Sequence, residues 1–233
     1  MKITGFEKIS LVNFDTEISA TIFLAGCNFR CPFCHNFEFV VIDDDTKLES
    51  YSKEEVLSYL NKRKGLLSAV VVSGGEPTLS PDLEDFLIEI KNMGYRIKLD
   101  TNGTKADLVI SLLERKIIDY VALDIKNSLD MYPITVGLDN INLDGFIKLV
   151  NYLINHNYGY EFRTTLIGNF HTTESIKNMA KFLKGAKKLF LQKFEMSDNV
   201  PDRSLYPVEK ENALEFKRIL ESTIECVSLR GYD

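Results

Sequence analysis

The sequence predicts an α/β fold: an incomplete (β/α)6-type partial barrel of parallel strands with outer helices, open on one side. Three observations carry this. Short β-branched or apolar runs alternate with longer amphipathic ones along the 233 residues, the pattern of repeated strand–helix units and a parallel sheet. About six or seven such units fit, one or two short of a closed barrel. No low-complexity tract, internal repeat or long Gly/Ser/Pro linker interrupts them, so a single domain is expected over residues 1–233. A flat doubly wound sheet is the alternative, which the pattern separates poorly from the partial barrel.

The elements follow in order. Ser19 to Ala25 reads as a first strand, followed directly by a cysteine-rich loop. Ser52 to Lys64 reads as a helix, with Ser52 as N-cap and Glu55 three positions on, a capping-box pattern. Ala69-Val70-Val71-Val72 is a wholly apolar strand of the kind buried on both faces. Pro81 opens a helix through Met93, ended by Gly94. Arg96 to Asp100 is a strand, Ala106 to Arg115 a helix and Tyr120 to Ile125 a strand. After a loop come helix Leu143 to Asn155, strand Tyr160 to Ile167, helix Thr173 to Leu183 and strand Lys188 to Lys193. Helix Val208 to Ser222 and a last strand, Cys226 to Leu229, complete the pattern.

In such architectures ligands gather at the C-terminal ends of the strands. The unusual residues fall there: Cys27, Gly74-Gly75-Glu76-Pro77, Asp100-Thr101-Asn102-Gly103 and Asp124-Ile125-Lys126, with Arg163-Thr164-Thr165 inside a later strand. Polar residues recurring at one rim are hard to explain by packing.

A net charge of −6 argues against a polyanion binder, so no nucleic-acid partner is expected. No secretory signal and no apolar run of membrane-spanning length is found, so no membrane association and a cytoplasmic location are expected. There are four cysteines, three of them within Cys27-Asn28-Phe29-Arg30-Cys31-Pro32-Phe33-Cys34, and a tight odd-numbered cluster suits metal ligation better than disulfides. Thiolates suit zinc, copper(I) and iron–sulfur clusters. A structural zinc site normally takes four protein ligands in paired spacings, and His35, adjacent to Cys34, is poorly placed to complete one. A [4Fe–4S] cube on three cysteines leaves one iron open, which is a catalytic feature.

The C-x3-C-x2-C spacing after a first strand resembles the radical S-adenosylmethionine (SAM) superfamily, and Gly74-Gly75-Glu76-Pro77 resembles its second motif. The resemblance implies a [4Fe–4S] cluster on Cys27, Cys31 and Cys34. It also implies SAM held by Phe33, Gly74, Gly75, Glu76, Asn102, Lys126 and Arg163. Within the superfamily, the Cys34-His35-Asn36 ending, Leu99 to Gly103 and Asp124-Ile125-Lys126 are similar to enzymes that install a glycyl radical in a partner protein. By that resemblance Asp100, Thr101 and Asp124 hold a monovalent cation. Glu161 to Thr165, Leu191 to Phe194 and Leu229 to Gly231 are similar to activating proteins of anaerobic ribonucleoside-triphosphate reductase. The implied partners are that glycyl radical enzyme and an electron donor such as flavodoxin or ferredoxin.

The blander roles are specific too. Asp100 and Asp124 could be helix N-caps, Lys126 a solvated lysine and Arg163 half of a packed salt bridge. His35 could be a supporting donor, while His156 and His171 are expected to have no catalytic role. Cys226 would pack as a small hydrophobe, and Gly231-Tyr232 would be a frayed tail. The alternative functions are a radical SAM enzyme on a small molecule, similar to 7-carboxy-7-deazaguanine synthase, and a zinc-binding interaction module.

Overall fold

The computed structural model describes residues 1–40 and 50–232. The described strands are β1 (Ile3–Ser10), β2 (Ser19–Leu24), β3 (Ala69–Gly74), β4 (Arg96–Thr101), β5 (Tyr120–Asp124), β6 (Gly159–Leu166), β7 (Lys188–Lys193) and β8 (Cys226–Arg230). The helices are α1 (Phe37–Val40), α2 (Lys53–Lys62), α3 (Leu83–Asn92), α4 (Ala106–Glu114), α5 (Tyr132–Val136), α6 (Asp144–Asn155), α7 (Thr173–Phe182) and α8 (Lys210–Glu221). Strand order in the sheet is the chain order, β1 to β8, and the sheet is not closed into a barrel. The fold is α/β, as the alternation predicts. No helix among the described residues is long and apolar enough to cross a membrane.

The chain forms two compact units, Met1–Asn28 with Glu38–Ala122, and Phe29–Phe37 with Leu123–Asp233. In the first, β2, β3 and β4 are parallel, with Thr21, Val71 and Lys98 level with one another. Side chains alternate between faces along a strand, so one face carries Ala20, Ile22, Val70, Val72, Ile97 and Leu99, all buried. The capping box of α2 is present: Glu55 N donates to Ser52 Oγ at 3.1 Å and Ser52 N donates to Glu55 Oε2 at 2.8 Å.

The other face holds a less ordinary residue. Lys98 is 3% exposed; its ammonium donates to Asn13 O at 2.8 Å and lies 5.8 Å from the Phe14 and Tyr120 ring centroids. Backbone oxygen, ring faces and the Asp100 carboxylate, with Oδ1 4.0 Å away, replace its water, which satisfies a buried cation.

Strand β1 was not legible in the sequence. It runs antiparallel to β2, with register shifts between Ile3 and Gly5 and between Glu7 and Ser10. Those irregularities erase the period-two signal that marks a strand. Pro81 lies outside the helix it was expected to open. The chain first makes a 3-10 turn over Pro77–Leu79, and α3 begins at Leu83.

In the second unit β6, β7 and β8 are parallel, and α8 packs against β8. Two expectations at the C-terminus are corrected here. Cys226 is exposed rather than packed, because its strand position turns it away from the layer formed by Leu189 and Val227. Tyr232 is buried rather than frayed; Gly231, at φ +78°, supplies the left-handed turn that returns the chain to the protein.

Candidate functional site

The expected site residues fall into two groups, one in each unit, and the chain passes from the first unit to the second inside the cysteine segment. In the first unit, β2 ends at Leu24 and the chain continues to Cys27. A Cβ on Gly74 would lie 2.2 Å from Leu24 O, and one on Gly75 would lie 2.2 Å from Gly26 O. Only glycine permits backbones to approach so closely. Two hydrogen bonds use that proximity, Gly75 N to Leu24 O at 2.8 Å and Glu76 N to Gly26 O at 2.7 Å. The glycine turn therefore fixes the path of the chain into Cys27. Gly75→Ala is expected to destabilise the fold by about 2 kcal/mol or more and to lower the iron bound per chain after anaerobic reconstitution. Thermal denaturation and iron analysis of the variant check both.

Glu76 is 1% exposed and serves this framework. Its Oε1 accepts from Thr78 N at 3.1 Å, from Thr101 Oγ1 at 2.7 Å and from the Thr78 hydroxyl, while Oε2 accepts from Asn102 N at 2.6 Å. Burial pushes the carboxyl above its usual range, although these donors favour the charged form. Asn102 extends the network: its Nδ2 donates to Asn28 Oδ1 at 2.8 Å, and Asn28 Nδ2 donates to Thr104 Oγ1 at 3.0 Å. Asp100 Oδ2 accepts from Ser73 Oγ at 3.0 Å. Neither Asp100 nor Asp124 is a helix cap. The N-cap of α4 is Lys105, and Ser128 precedes the 3-10 turn after β5.

The second unit holds an ion triad at the end of β5. Asp124 Oδ2 accepts from Lys126 Nζ at 2.9 Å, and Oδ1 accepts from Arg163 Nε at 3.1 Å. Burial alone would raise the Asp124 carboxyl, but the two cations hold it below its usual range. Burial likewise works against the Lys126 charge, and Asp124 more than restores it. With only 19% of its side chain exposed, Lys126 is not a solvated surface residue. Its ammonium lies 5.8 Å from the centroid of the Phe33 ring. Burial raises the Cys34 thiol, and Lys126 opposes that shift. A thiol that must ionise to bind metal is thus placed within reach of a fixed positive charge.

Residues overlooked in the sequence hold this triad in place. Tyr132 Oη donates to Asp124 O at 3.2 Å and accepts from Lys126 N at 3.4 Å. Thr164 Oγ1 donates to Ile125 O at 2.7 Å. Helix α5 also braces the cysteine segment: Arg30 N donates to Val136 O at 2.9 Å, and a Cβ on Gly137 would lie 2.2 Å from Arg30 O. Pro133 near the start of α5 and Gly137 just past its end were the available signal. His35 is a supporting donor, as one reading of the sequence allowed. Its Nε2 donates to Glu195 O at 2.6 Å, and its ring stacks on Phe194.

His171, 4% exposed, is a second brace. Its Nδ1 accepts from Ile167 N at 3.0 Å, which places the proton on Nε2, facing Lys126 O at 3.1 Å. Burial lowers its pKa from 6.5 to about 4. The unfolded chain therefore takes up this proton near pH 6.5 and the folded chain only near pH 4. Stability is lost as pH falls through that window, by roughly 2 kcal/mol at about pH 5. Urea unfolding at neutral pH and at about pH 5 should show this loss in the wild type and a smaller one in His171→Gln.

Among the described residues, no three His, Cys, Asp or Glu side chains gather as around one metal ion. A [4Fe–4S] cube asks for something else, since each cysteine binds a different iron. None of the three thiols is in a disulfide. A soft, three-thiol donor set with a backbone-cradled approach to Cys27 fits such a cluster.

A family model described as the Radical SAM superfamily matches residues 21–183. The chain belongs to the radical SAM superfamily, and that membership implies a [4Fe–4S] cluster and SAM. Its similarity to activating enzymes within the superfamily runs almost end to end. A Methanocaldococcus jannaschii protein with the provisional name glycyl-radical enzyme activating enzyme is 32% identical over 98% of this chain and 95% of that protein. The pyruvate formate-lyase-activating enzyme of Clostridium pasteurianum is 26% identical over 96% of this chain and 98% of its own. Among solved structures, Streptococcus suis SuiB bound to the precursor peptide SuiA shares the fold with a TM-score of 0.68 at 17% identity. The match covers 91% of this chain and 48% of that longer one.

Proposed function

We propose that this chain is a radical SAM activase whose substrate is a backbone glycine of a partner glycyl radical enzyme, of the anaerobic ribonucleoside-triphosphate reductase type. The observation that carries the reading is the end-to-end similarity to activating enzymes, at 98% coverage of this chain and 95% of the relative. In this reading Cys27, Cys31 and Cys34 hold the [4Fe–4S] cluster, and a flavodoxin or ferredoxin supplies the electron. Cluster and SAM together supply methionine and a 5′-deoxyadenosyl radical able to take a hydrogen atom from glycine Cα.

The chain's own residues bind and orient. Gly74 and Gly75 bring backbone close enough to hold the methionine end of SAM. Arg163 and Lys126 offer N–H donors to its carboxylate. Glu76 and Asn102 keep the two strand ends fixed relative to each other. Phe33, buried and under the Lys126 ammonium, presents an apolar face that suits the adenine and excludes water from it.

The test is anaerobic reconstitution with iron and sulfide, then reduction in the presence of SAM and the anaerobic ribonucleotide reductase of the same organism. A glycyl doublet in the EPR spectrum is the expected result. Formation of 5′-deoxyadenosine without that doublet would overturn the choice of partner.

A further inference from the structure

The register of the second unit's sheet places a row of polar side chains that the cofactor-binding set does not use. Arg163 on β6 is level with Phe190 on β7, and Phe190 is level with Ser228 on β8. Residues level with one another in a parallel sheet share a face, and residues two apart on a strand share it too. Arg163 reaches Asp124 on this face. One step nearer the C-terminal ends, the same face carries Thr165, Gln192 and Arg230, which are level in the same way. All three are half-buried, whereas the opposite face carries Phe162, Leu189, Leu191 and Val227, all buried.

The row has a defined chemistry. A hydroxyl and a carboxamide each donate and accept, and a guanidinium donates. The row contains no carboxylate to select an amine and no apolar side chain to read a hydrophobic one. Arg230 packs over Phe190, with its guanidinium carbon 3.4 Å from the ring centroid. Neighbouring strands are about 4.8 Å apart, so three level side chains span roughly 10 Å, the length of about three residues of extended chain. β8 is last in the strand order, so a polymer lying along the row can continue past the sheet edge.

We propose that Thr165, Gln192 and Arg230 bind the main chain of an extended polypeptide, the segment of the partner that carries the target glycine. This rests on the activase reading above and adds the residues that hold its substrate. A small carboxylate can accept from any of the three, but it is too short to engage all of a row roughly 10 Å long, as an extended main chain can.

The probe is a heptaglycine peptide, blocked at both ends and deuterated at every Cα, so that it offers main chain and nothing else. It is mixed with reconstituted enzyme, SAM and dithionite, and deuterium in 5′-deoxyadenosine is measured against peptide concentration. In the step tested, the Cα–D bond breaks homolytically and a C–D bond forms at the 5′ carbon. The unpaired electron stays on the peptide, and dithionite supplies the one electron that SAM cleavage consumes.

Gln192→Ala and Arg230→Ala should each raise the half-saturating peptide concentration at least about tenfold, in line with the loss of a hydrogen bond to a charged or buried group. Transfer at saturation should change much less. Lys188→Ala, which removes the other cation on Phe190 but lies outside the row, should leave the peptide dependence unchanged. Wild-type transfer with an unaltered dependence in both row variants would overturn the proposal and leave the activase reading standing. A row in which a small dicarboxylate competes with the peptide in wild type but not in Arg230→Ala, while Gln192→Ala has no effect, would assign it to a small acid instead. No deuterium transfer by the wild type at any peptide concentration would overturn binding through main chain alone, whereas the glycyl doublet on the partner enzyme decides the activase reading separately.

Discussion

Cys31→Ala is expected to abolish SAM cleavage while leaving the chain folded. Cys31 is 8% exposed and sits one residue before Pro32, whose carbonyl accepts from Asp202 N at 3.1 Å. The loop is therefore held by backbone contacts that alanine keeps, and the loss of one sulfur opens only a small cavity. The cluster has no comparable reserve. With three cysteines in the motif, removing one leaves two protein ligands, and metal binding that depends on a preformed set of thiolates falls with it. After reconstitution the variant should show little of the broad visible absorption of an iron–sulfur cluster. Its 5′-deoxyadenosine yield should match a protein-free control. Retention of full cleavage would remove these cysteines from the mechanism. Cys226→Ala is the natural control, because that thiol is exposed on the last strand and its loss should change neither readout.

The order of strands and helices was legible because β2, β3, β5 and β7 carry compact apolar runs, while β4, β6 and β8 alternate apolar with polar residues between helical stretches. What escaped were elements whose identity depends on partners distant in sequence. β1 is recognisable only by its pairing with β2, since its bulges break the alternation. Tyr132 and His171 look like ordinary aromatic residues until their hydrogen bonds to Asp124, Lys126 and Ile167 are seen. Lys98 is the sharpest case. A lysine in an apolar strand reads as surface, yet its ammonium is enclosed by two rings and a carbonyl contributed by residues far along the chain. The positions of Asp124, Lys126 and Arg163 at a strand rim could be read from the sequence. That they form one triad could not, because the distance between β5 and β6 along the chain carries no information about register.

Glu76→Gln should separate the framework role of this residue from a direct ligand role. The substitution is nearly isosteric, but it replaces one acceptor oxygen by a donor. If the amide oxygen takes the place of Oε1, it keeps the bonds from Thr78 and Thr101, and the new N–H2 then faces Asn102 N–H. Reversing the amide instead turns it against two hydroxyls and the Thr78 N–H. Either way a buried donor is left without an acceptor, which costs roughly 2 kcal/mol and lowers Tm by about 5 °C in a chain of this size. Burial raises the Glu76 carboxyl in the folded state, so the charged form carries a penalty that appears as pH rises through the ordinary glutamate range. That penalty is absent in the glutamine variant. The stability difference between variant and wild type should therefore be larger in acid, where Glu76 is protonated and can itself donate to a threonine hydroxyl, than at neutral pH. The network from Glu76 runs through Asn102 to Asn28, the residue after Cys27, so cluster content should fall together with stability. SAM affinity that dropped while Tm and iron content stayed at wild-type values would instead make Glu76 a direct cofactor contact.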